Sequence, residues 1–170
     1  MGKKWDIEDV KKIPHRSLER LLDKLREYLK KDEVVQKMFK EYGADISEID
    51  FIPMRFDDID VSAKTDHGII IYNYELLTDG DFFKDFSYGV HEITHYLQQT
   101  CGKEATQSSD EGSYLQNPFE QEGFTNQVEF IAGQFGNSEA EKYVDHLLDH
   151  HDVTDHKERD ELEAIFFEKV

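Results

Sequence analysis

Apolar residues in the first part of the chain recur three or four positions apart, as they do along one face of a helix. Within residues 6–42 they are Leu18, Leu21, Leu22, Leu25 and Leu29, followed by Val34, Val35, Met38 and Phe39. Pro14 should interrupt this segment, Asp32 is typical of a helix start, and Gly43 is typical of a helix end. The pattern therefore predicts N-terminal helices that pack their apolar face on the core.

In the next segment the pattern changes to an alternation of apolar and polar residues. Residues 49–56 and 59–61 alternate as short strands do, and residues 68–74 are rich in β-branched and aromatic side chains. Residues 66–68, Asp-His-Gly, have the composition of a turn. We predict a small sheet of about three strands. The strongest of them either borders a cleft, where it could pair with an extended substrate backbone, or is an interior strand.

A further helical segment, residues 81–102, follows the predicted strands. Its apolar stripe consists of Phe86, Val90, Ile93 and Leu97. Asp81 suits the N-cap of this helix, and Gly102 suits the position just after it. Gly89 lowers helix stability, which indicates that another backbone approaches closely there.

The rest of the chain is predicted to be helical, after a polar segment over residues 103–116 that is a solvated loop or the rim of a cleft. The next helix should begin with Pro118 at its first position and carry the inward stripe Phe124, Val128, Ile131 and Phe135. Ser138 and Glu141 have the spacing of a capping box. The apolar faces of the last two helices are Tyr143, Val144, Leu147 and Leu148, and then Leu162, Ile165 and Phe166. No repeat or linker divides the chain, so residues 1–170 are predicted to form a single α+β domain.

Composition narrows the classes of partner. The chain has 170 residues, 38% of them hydrophobic, and a net charge of −18, which indicates a folded domain with a very polar surface. Nucleic acids and anionic membranes are polyanions, so the charge disfavours both as partners. It favours metal cations or basic peptides, but an acidic surface more often serves only solubility. The single cysteine, Cys101, excludes an internal disulfide. The sequence has no apolar run long enough to span a bilayer and no signal-peptide core at its start, so we expect a cytoplasmic protein.

The segment 81–102 contains the motif with the clearest chemistry, His91-Glu92-Ile93-Thr94-His95. Histidines four residues apart on a helix point in the same direction and can bind one metal ion. The glutamate beside the first histidine is then placed to act as a general base toward a water molecule at that ion. We therefore predict a metal site with His91 and His95 as ligands and Glu92 as the catalytic residue.

A catalytic zinc site usually has a third protein ligand. No cysteine precedes the motif and the next histidine is His146, which leaves a glutamate on the following helix. At about 100° per residue, Glu120 falls on the same face as Phe124 and Ile131, whereas Glu122 falls on the opposite face. An acidic residue on an apolar face needs a partner there, and a metal ion would be one. Glu120 is thus the favoured third ligand, and Glu122 is the alternative.

These motifs resemble those of the gluzincin zinc metallopeptidases, in particular minimal members and the small His-Glu-x-x-His proteins of phages and mobile elements. The resemblance rests on the first motif with the Tyr-Leu-Gln-Gln that follows it, and then on Tyr114-Leu115, Pro118, Glu120 and Glu122-Gly123. Gly123 stands where alanine is common in that family. The resemblance implies a zincin-like fold and a Zn²⁺ ion held by two histidines and a glutamate. It also implies hydrolysis of peptide bonds, with Glu92 as general base.

The resemblance also supports Glu122 as the alternative third ligand. The run Glu-Gly-Phe that begins at Glu122 is similar to that of some aminopeptidases in which the glutamate binds zinc. Asn126 would then orient a ligand histidine. The donor that stabilises the transition state stays undecided among Tyr114, Tyr143 and His146.

Two other classes of function are compatible with the sequence. One is a catalytically silent zinc-binding or peptide-binding protein of zincin fold. The other is a protein that binds partners through its acidic surface and C-terminal helices, without a metal. A second metal site could be built from His146, His150, His151 and His156, but their polar surroundings at a helix end favour a solvated cluster.

Overall fold

The computed structural model describes residues 5–78, 86–102 and 114–170. Its α-helices are α1 (Ile7–Lys11), α2 (His15–Lys30), α3 (Glu33–Glu41), α4 (Tyr88–Cys101), α5 (Pro118–Phe135), α6 (Asn137–His150) and α7 (His156–Phe166). Its strands are β1 (Met54–Asp57), β2 (Ala63–Asp66) and β3 (Ile69–Asn73). Short 3-10 helices cover Ile46–Phe51, Tyr74–Leu77 and Tyr114–Gln116. The described part of the chain is therefore α+β, mostly helical with a small sheet. None of the helices described is long and apolar enough to cross a membrane.

The N-terminal helices form where the apolar spacing predicts them. Helix α2 begins after Pro14 and buries Leu18, Leu22, Leu25 and Leu29. The Asp32 carboxylate accepts hydrogen bonds from the backbone N–H groups of Val34 and Val35, which caps α3 and confirms the predicted restart. Gly43 follows α3 with φ of 69°, a conformation that glycine adopts without strain.

The sheet has the order β1-β3-β2, with β3 in the centre. Strand β1 pairs with β3 in parallel, and β2 pairs with it in antiparallel orientation. The turn between β2 and β3 has positive φ at both His67 and Gly68, as its composition predicts. The prediction of a three-stranded sheet is confirmed.

The predicted strand 49–56 is correct only in its last residues, which belong to β1, and the predicted strand 59–61 is wrong. Residues Ile46–Phe51 form a 3-10 helix, because Asp45 caps the backbone N–H of Ser47, and the strand β1 begins only after Pro53. Residues 59–61 are not a strand, since the Asn73 side chain donates to the carbonyls of Ile59 and Val61 and holds them as a loop. The edge strand beside β3 is β2, which begins two residues after this segment.

Helix α4 lies between the sheet and the C-terminal helices, with α5 packed beside it. The predicted N-cap Asp81 lies outside the described residues, and in the structure Ser87 precedes the first helical residue. The close approach at Gly89 comes from side chains and not from a backbone: a Cβ there would meet the Tyr72 hydroxyl at 3.0 Å and Leu29 Cδ1 at 3.3 Å. Gly89 therefore allows α4 to sit tightly against β3 and α2.

The side chain of Gln99 fastens α4 to the β2–β3 hairpin. Its oxygen accepts a hydrogen bond from the Gly68 backbone N–H at 3.0 Å, and its nitrogen donates to the Thr65 carbonyl at 3.2 Å. The Gln99 side chain thus holds both the turn and the edge strand β2 to helix α4.

The C-terminal helices cover the other side of α4. Helix α5 begins with Pro118 after the N-cap Asn117 and buries Phe124, Val128 and Ile131, as predicted. The predicted capping box was wrong: α6 begins at Asn137 directly after Gly136, so Ser138 lies within its first turn. Gly136 has φ of 98°, and this one residue both ends α5 and starts α6.

Candidate metal centre

The motif histidines lie on the side of α4 that faces α5. The apolar stripe of α4 buries Val90, Ile93 and Leu97 completely. His91, beside that stripe, is only 4% exposed. This places both imidazoles in the contact between the two helices, where few polar partners are available.

The structure brings His91, His95 and Glu120 together. One oxygen of Glu120 lies 2.9 Å from His91 Nε2 and 2.8 Å from His95 Nε2. The two Nε2 atoms are 3.0 Å apart. Glu120 is buried, as expected from its position on the apolar face of α5.

This cluster could hold a metal ion. It is the group of three metal-ligand side chains found among the described residues, and its ligand atoms all lie within 4.8 Å of one another. Two imidazole nitrogens and one carboxylate oxygen are a donor set that zinc accepts, and a tetrahedral ion at about 2.0–2.1 Å would separate its ligands by about 3.3 Å. The observed separations of 2.8–3.0 Å need to widen by less than about half an ångström. The donor set and its spacing therefore fit the ion that the sequence predicts.

The histidines and the glutamate of the cluster stabilise each other's charged forms. Burial raises the pKa of the Glu120 carboxyl, but hydrogen bonds from His91 and His95 hold that pKa well below its usual range. Burial lowers the pKa of His95, yet the hydrogen bond to Glu120 and the charges of Glu92 and Glu120 raise it to about 9. A positive charge is thus favourable at this position, whether it is a proton or a metal ion.

The predicted catalytic residue Glu92 lies in the same place but does not bind the cluster. It is 5% exposed, and one of its oxygens accepts a hydrogen bond from the Thr65 hydroxyl at 2.9 Å. The Thr65 hydroxyl is also 3.0 Å from the backbone oxygen of Glu92. Strand β2 therefore orients the carboxylate of Glu92.

The ring of His91 is held by close packing. A Cβ atom on Gly123 would lie 2.8 Å from both Cε1 and Nδ1 of His91, so only a glycine leaves room for the ring. The ring of Phe124 lies 4.4 Å away, centroid to centroid. His91 Nδ1 is buried and has no hydrogen-bond partner within the described residues. Asn126, expected to orient a ligand histidine, instead donates to Thr94 and accepts from Lys169.

His95 is held by hydrogen bonds. Its Nδ1 lies 2.7 Å from the side-chain oxygen of Gln98, and the nitrogen of Gln98 donates to Glu122 at 2.6 Å. The Tyr42 hydroxyl donates to the same Glu122 oxygen at 2.5 Å. Glu122, the alternative third ligand, thus lies behind Gln98 and outside the cluster. Neither Gln98 nor Tyr42 is predicted from the sequence as a site residue; the signal for Gln98 is its place three residues after His95, on the same helix face.

Two cavities adjoin at the site and share Glu92, Tyr114 and the residues Asp60, Val61 and Ala63. One, of about 370 Å³, is lined by the cluster residues His95 and Glu120 and by the whole of strand β2. The other, of about 510 Å³, is lined by His91 and by side chains of α6. The cluster is therefore reached from a cleft with β2 along one side.

The three candidates for the hydrogen-bond donor that stabilises the transition state lie in different places. Tyr114 lines both cavities, and burial together with the charges of Glu120 and Glu92 raises its pKa far above the ordinary value, so its hydroxyl stays protonated. Tyr143 lines only the second of these cavities, and its hydroxyl donates to Gln127. His146 lines that cavity too, from the exposed face of α6.

The predicted solvated cluster at the end of α6 has ring contacts of its own. His146 and His150 stack at 6.2 Å, and His151 stacks on Tyr114 at 5.3 Å. His156 begins α7. Within the part of the chain that the structure describes, these histidines do not form a further group of three metal ligands.

Comparison of the chain with models of protein families, with curated proteins and with solved structures finds no match.

Proposed function

We propose that this protein is a zinc-dependent metallopeptidase with a zincin-like fold of the gluzincin type. The observation that carries the proposal is the convergence of His91, His95 and Glu120 on one point, with the carboxylate of Glu92 in the same cleft. Three ligands from two packed helices leave a side open to the cavity, as a catalytic site requires. A purely structural zinc site would be closed by a fourth ligand.

The three ligand side chains would hold the ion through His91 Nε2, His95 Nε2 and a carboxylate oxygen of Glu120. When bound, zinc supplies Lewis acidity that polarises the scissile carbonyl and lowers the pKa of a water molecule. The buried, negatively charged Glu120 reduces the net charge of the centre.

Glu92 acts as the general base. It takes a proton from the attacking water and passes it to the leaving amine. The hydrogen bond from Thr65 holds one oxygen of Glu92, and the residue lines both cavities. Strand β2 therefore orients the base relative to the substrate.

Tyr114 supplies the donor for the developing oxyanion. Its hydroxyl is protonated, lies in the field of Glu120 and Glu92, and borders both cavities. A donor aimed at a charge that appears only in the transition state lowers the barrier without tightening substrate binding.

The substrate is an extended peptide. Strand β2 is at the edge of the sheet and lines the cavity that contains His95 and Glu120. An edge strand offers backbone groups to which a peptide can add as a further strand, and in β2 the Thr65 carbonyl is already bonded to Gln99. The two cavities on either side of Tyr114 would then take side chains from the two sides of the scissile bond. The net charge of −18 favours basic substrates.

The test measures zinc content and peptide cleavage in parallel, on protein purified without a histidine tag. Wild type should bind one zinc ion and cleave a mixed peptide library. Glu92→Gln should keep the zinc and lose cleavage by at least about 100-fold, because general-base catalysis contributes about that much. Glu120→Ala should lose both.

Glu129→Ala is the matched control, because Glu129 lies on the same helix as Glu120 and pairs with Lys37. It should resemble wild type in both measurements. Wild type that binds zinc but cleaves nothing would favour the catalytically silent protein. Wild type without zinc would overturn the proposal.

A further inference from the structure

We propose that Gln98, Glu122 and Tyr42 form a hydrogen-bonded chain that positions His95 for the metal ion. The proposal rests on the proposed zinc site and assigns to Glu122 a role other than that of a ligand. Each link of the chain is a direct contact: His95 to Gln98 at 2.7 Å, Gln98 to Glu122 at 2.6 Å, and Tyr42 to Glu122 at 2.5 Å.

The contacts of Gln98 determine which end of its amide faces His95. One end lies 3.1 Å from the backbone carbonyl of Phe119 and 2.6 Å from the carboxylate of Glu122. Both of these partners only accept hydrogen bonds, so that end must be the NH₂ group, with its two donors. The oxygen of Gln98 is therefore the atom that faces His95.

The orientation of Gln98 determines the tautomer of His95. An amide oxygen can only accept, so the proton between them must belong to His95 Nδ1. A neutral imidazole with its proton on Nδ1 has its lone pair on Nε2, which is the atom that points at Glu120 and His91. Gln98 thus selects the tautomer that a metal ion needs.

Glu122 holds Gln98 in this orientation. Its carboxylate oxygen accepts from both Gln98 and Tyr42, which fixes it from two directions. Burial and the hydrogen bond to Glu122 raise the pKa of Tyr42, so its hydroxyl stays a donor. Tyr42 follows α3, and through it the N-terminal helices support a metal ligand on α4.

The two glutamates therefore act on the two ring nitrogens of His95, one directly and one through Gln98. Glu120 contacts His95 Nε2, and Glu122, two residues later on α5, supports Nδ1 through Gln98. Their different positions on α5 let one carboxylate contact His95 itself and the other contact Gln98, three residues further along α4.

The experiment measures zinc affinity by competition with a chelator in wild type, Gln98→Leu, Glu122→Ala and Glu122→Gln. Gln98→Leu and Glu122→Ala should weaken zinc binding by about 10–100-fold, as loss of a partner of a metal ligand does. Glu122→Gln keeps an oxygen that accepts from Gln98 and Tyr42, so it should restore an affinity within about threefold of wild type. Glu129→Ala on the same helix is the matched control and should be unchanged.

Cobalt(II) in place of zinc gives a second readout. Gln98→Leu and Glu122→Ala should shift the visible absorption bands of bound cobalt, because the orientation of one ligand changes, whereas Glu122→Gln and Glu129→Ala should keep the wild-type spectrum. Wild-type affinity and spectrum in Gln98→Leu and Glu122→Ala would overturn the positioning role and leave the zinc site standing. Absence of metal binding in wild type would overturn both.

Discussion

His91 and His95 are one helical turn apart and meet the same carboxylate, yet they are held by different means. The ring of His91 lies against Gly123 and Phe124, and its Nδ1 has no hydrogen-bond partner within the described ranges. The ring of His95 is tied through Nδ1 to Gln98. Packing fixes where a ring lies, whereas a hydrogen bond also fixes which nitrogen carries the proton.

The two ligand histidines should therefore respond to different substitutions. A larger side chain beside the His91 ring should displace that ring. Removal of a hydrogen-bond partner should disturb His95.

Gly123→Ala should have the largest effect. The new methyl group would lie 2.8 Å from the His91 ring and must displace it. We expect a loss of about 1–3 kcal/mol in the free energy of unfolding, typical of overpacking, and zinc binding weaker by about 10–100-fold. Urea unfolding with and without zinc, together with chelator competition, measures both.

Gly133→Ala is the matched control, because Gly133 lies on the same helix and a Cβ there would meet nothing within 4 Å. That variant should keep zinc affinity and gain up to about 1 kcal/mol from the higher helix propensity of alanine. Equal zinc affinity in the two variants would mean that the packing of His91 does not determine its position.

The metal-free protein should lose stability as pH rises through the range in which His95 releases its proton. The pKa of His95 is about 9 in the folded protein, above its ordinary value of 6.5. Its contribution is therefore complete below about pH 6.5 and lost as pH approaches 9, by roughly 1–3 kcal/mol. Urea unfolding in EDTA at several pH values measures it.

The zinc-loaded protein is the comparison for this pH series. With His95 bound as a neutral ligand, the loss between pH 6.5 and 9 should disappear. The variant His95→Gln, without metal, should also show a smaller loss than wild type. A metal-free wild type whose stability is flat over this range would mean that the charge on His95 contributes nothing.

Asn126→Ala should have the smallest effect on the metal site. The Asn126 side chain is bonded to Thr94 and Lys169, so its removal should cost about 1–2 kcal/mol of stability. Zinc affinity should stay within about twofold of wild type. A larger drop would show that Asn126 supports a ligand histidine, as the sequence alone suggests.

Helical periodicity predicts much of the fold because each helix buries one face. The spacing of Leu18 to Leu29, and that of Phe124 to Ile131, follows the buried faces of α2 and α5. The same argument places Glu120 on the inner face of α5, where the structure has it beside the two histidines.

Other features depend on contacts that local patterns do not contain. The segment 59–61 alternates as a strand would, but Asn73, more than ten residues later, holds it as a loop. Tyr42 and Glu122 are 80 positions apart, so no spacing in the sequence joins them. Periodicity places Glu122 on the face of α5 opposite the apolar stripe, but it does not show that Gln98 and Tyr42 lie against that face.

Gln98 and Gln99 are neighbours on α4 and bond in opposite directions, the first to His95 and the second to the β2–β3 hairpin. Because Gln99 bonds both Thr65 and the turn, the edge strand and the motif helix should move as one rigid body. The entropy of ordering the cleft is then lost during folding and not during binding. For the peptide substrate proposed above, selection should then depend mainly on the shape and charge of this preformed side of the cleft.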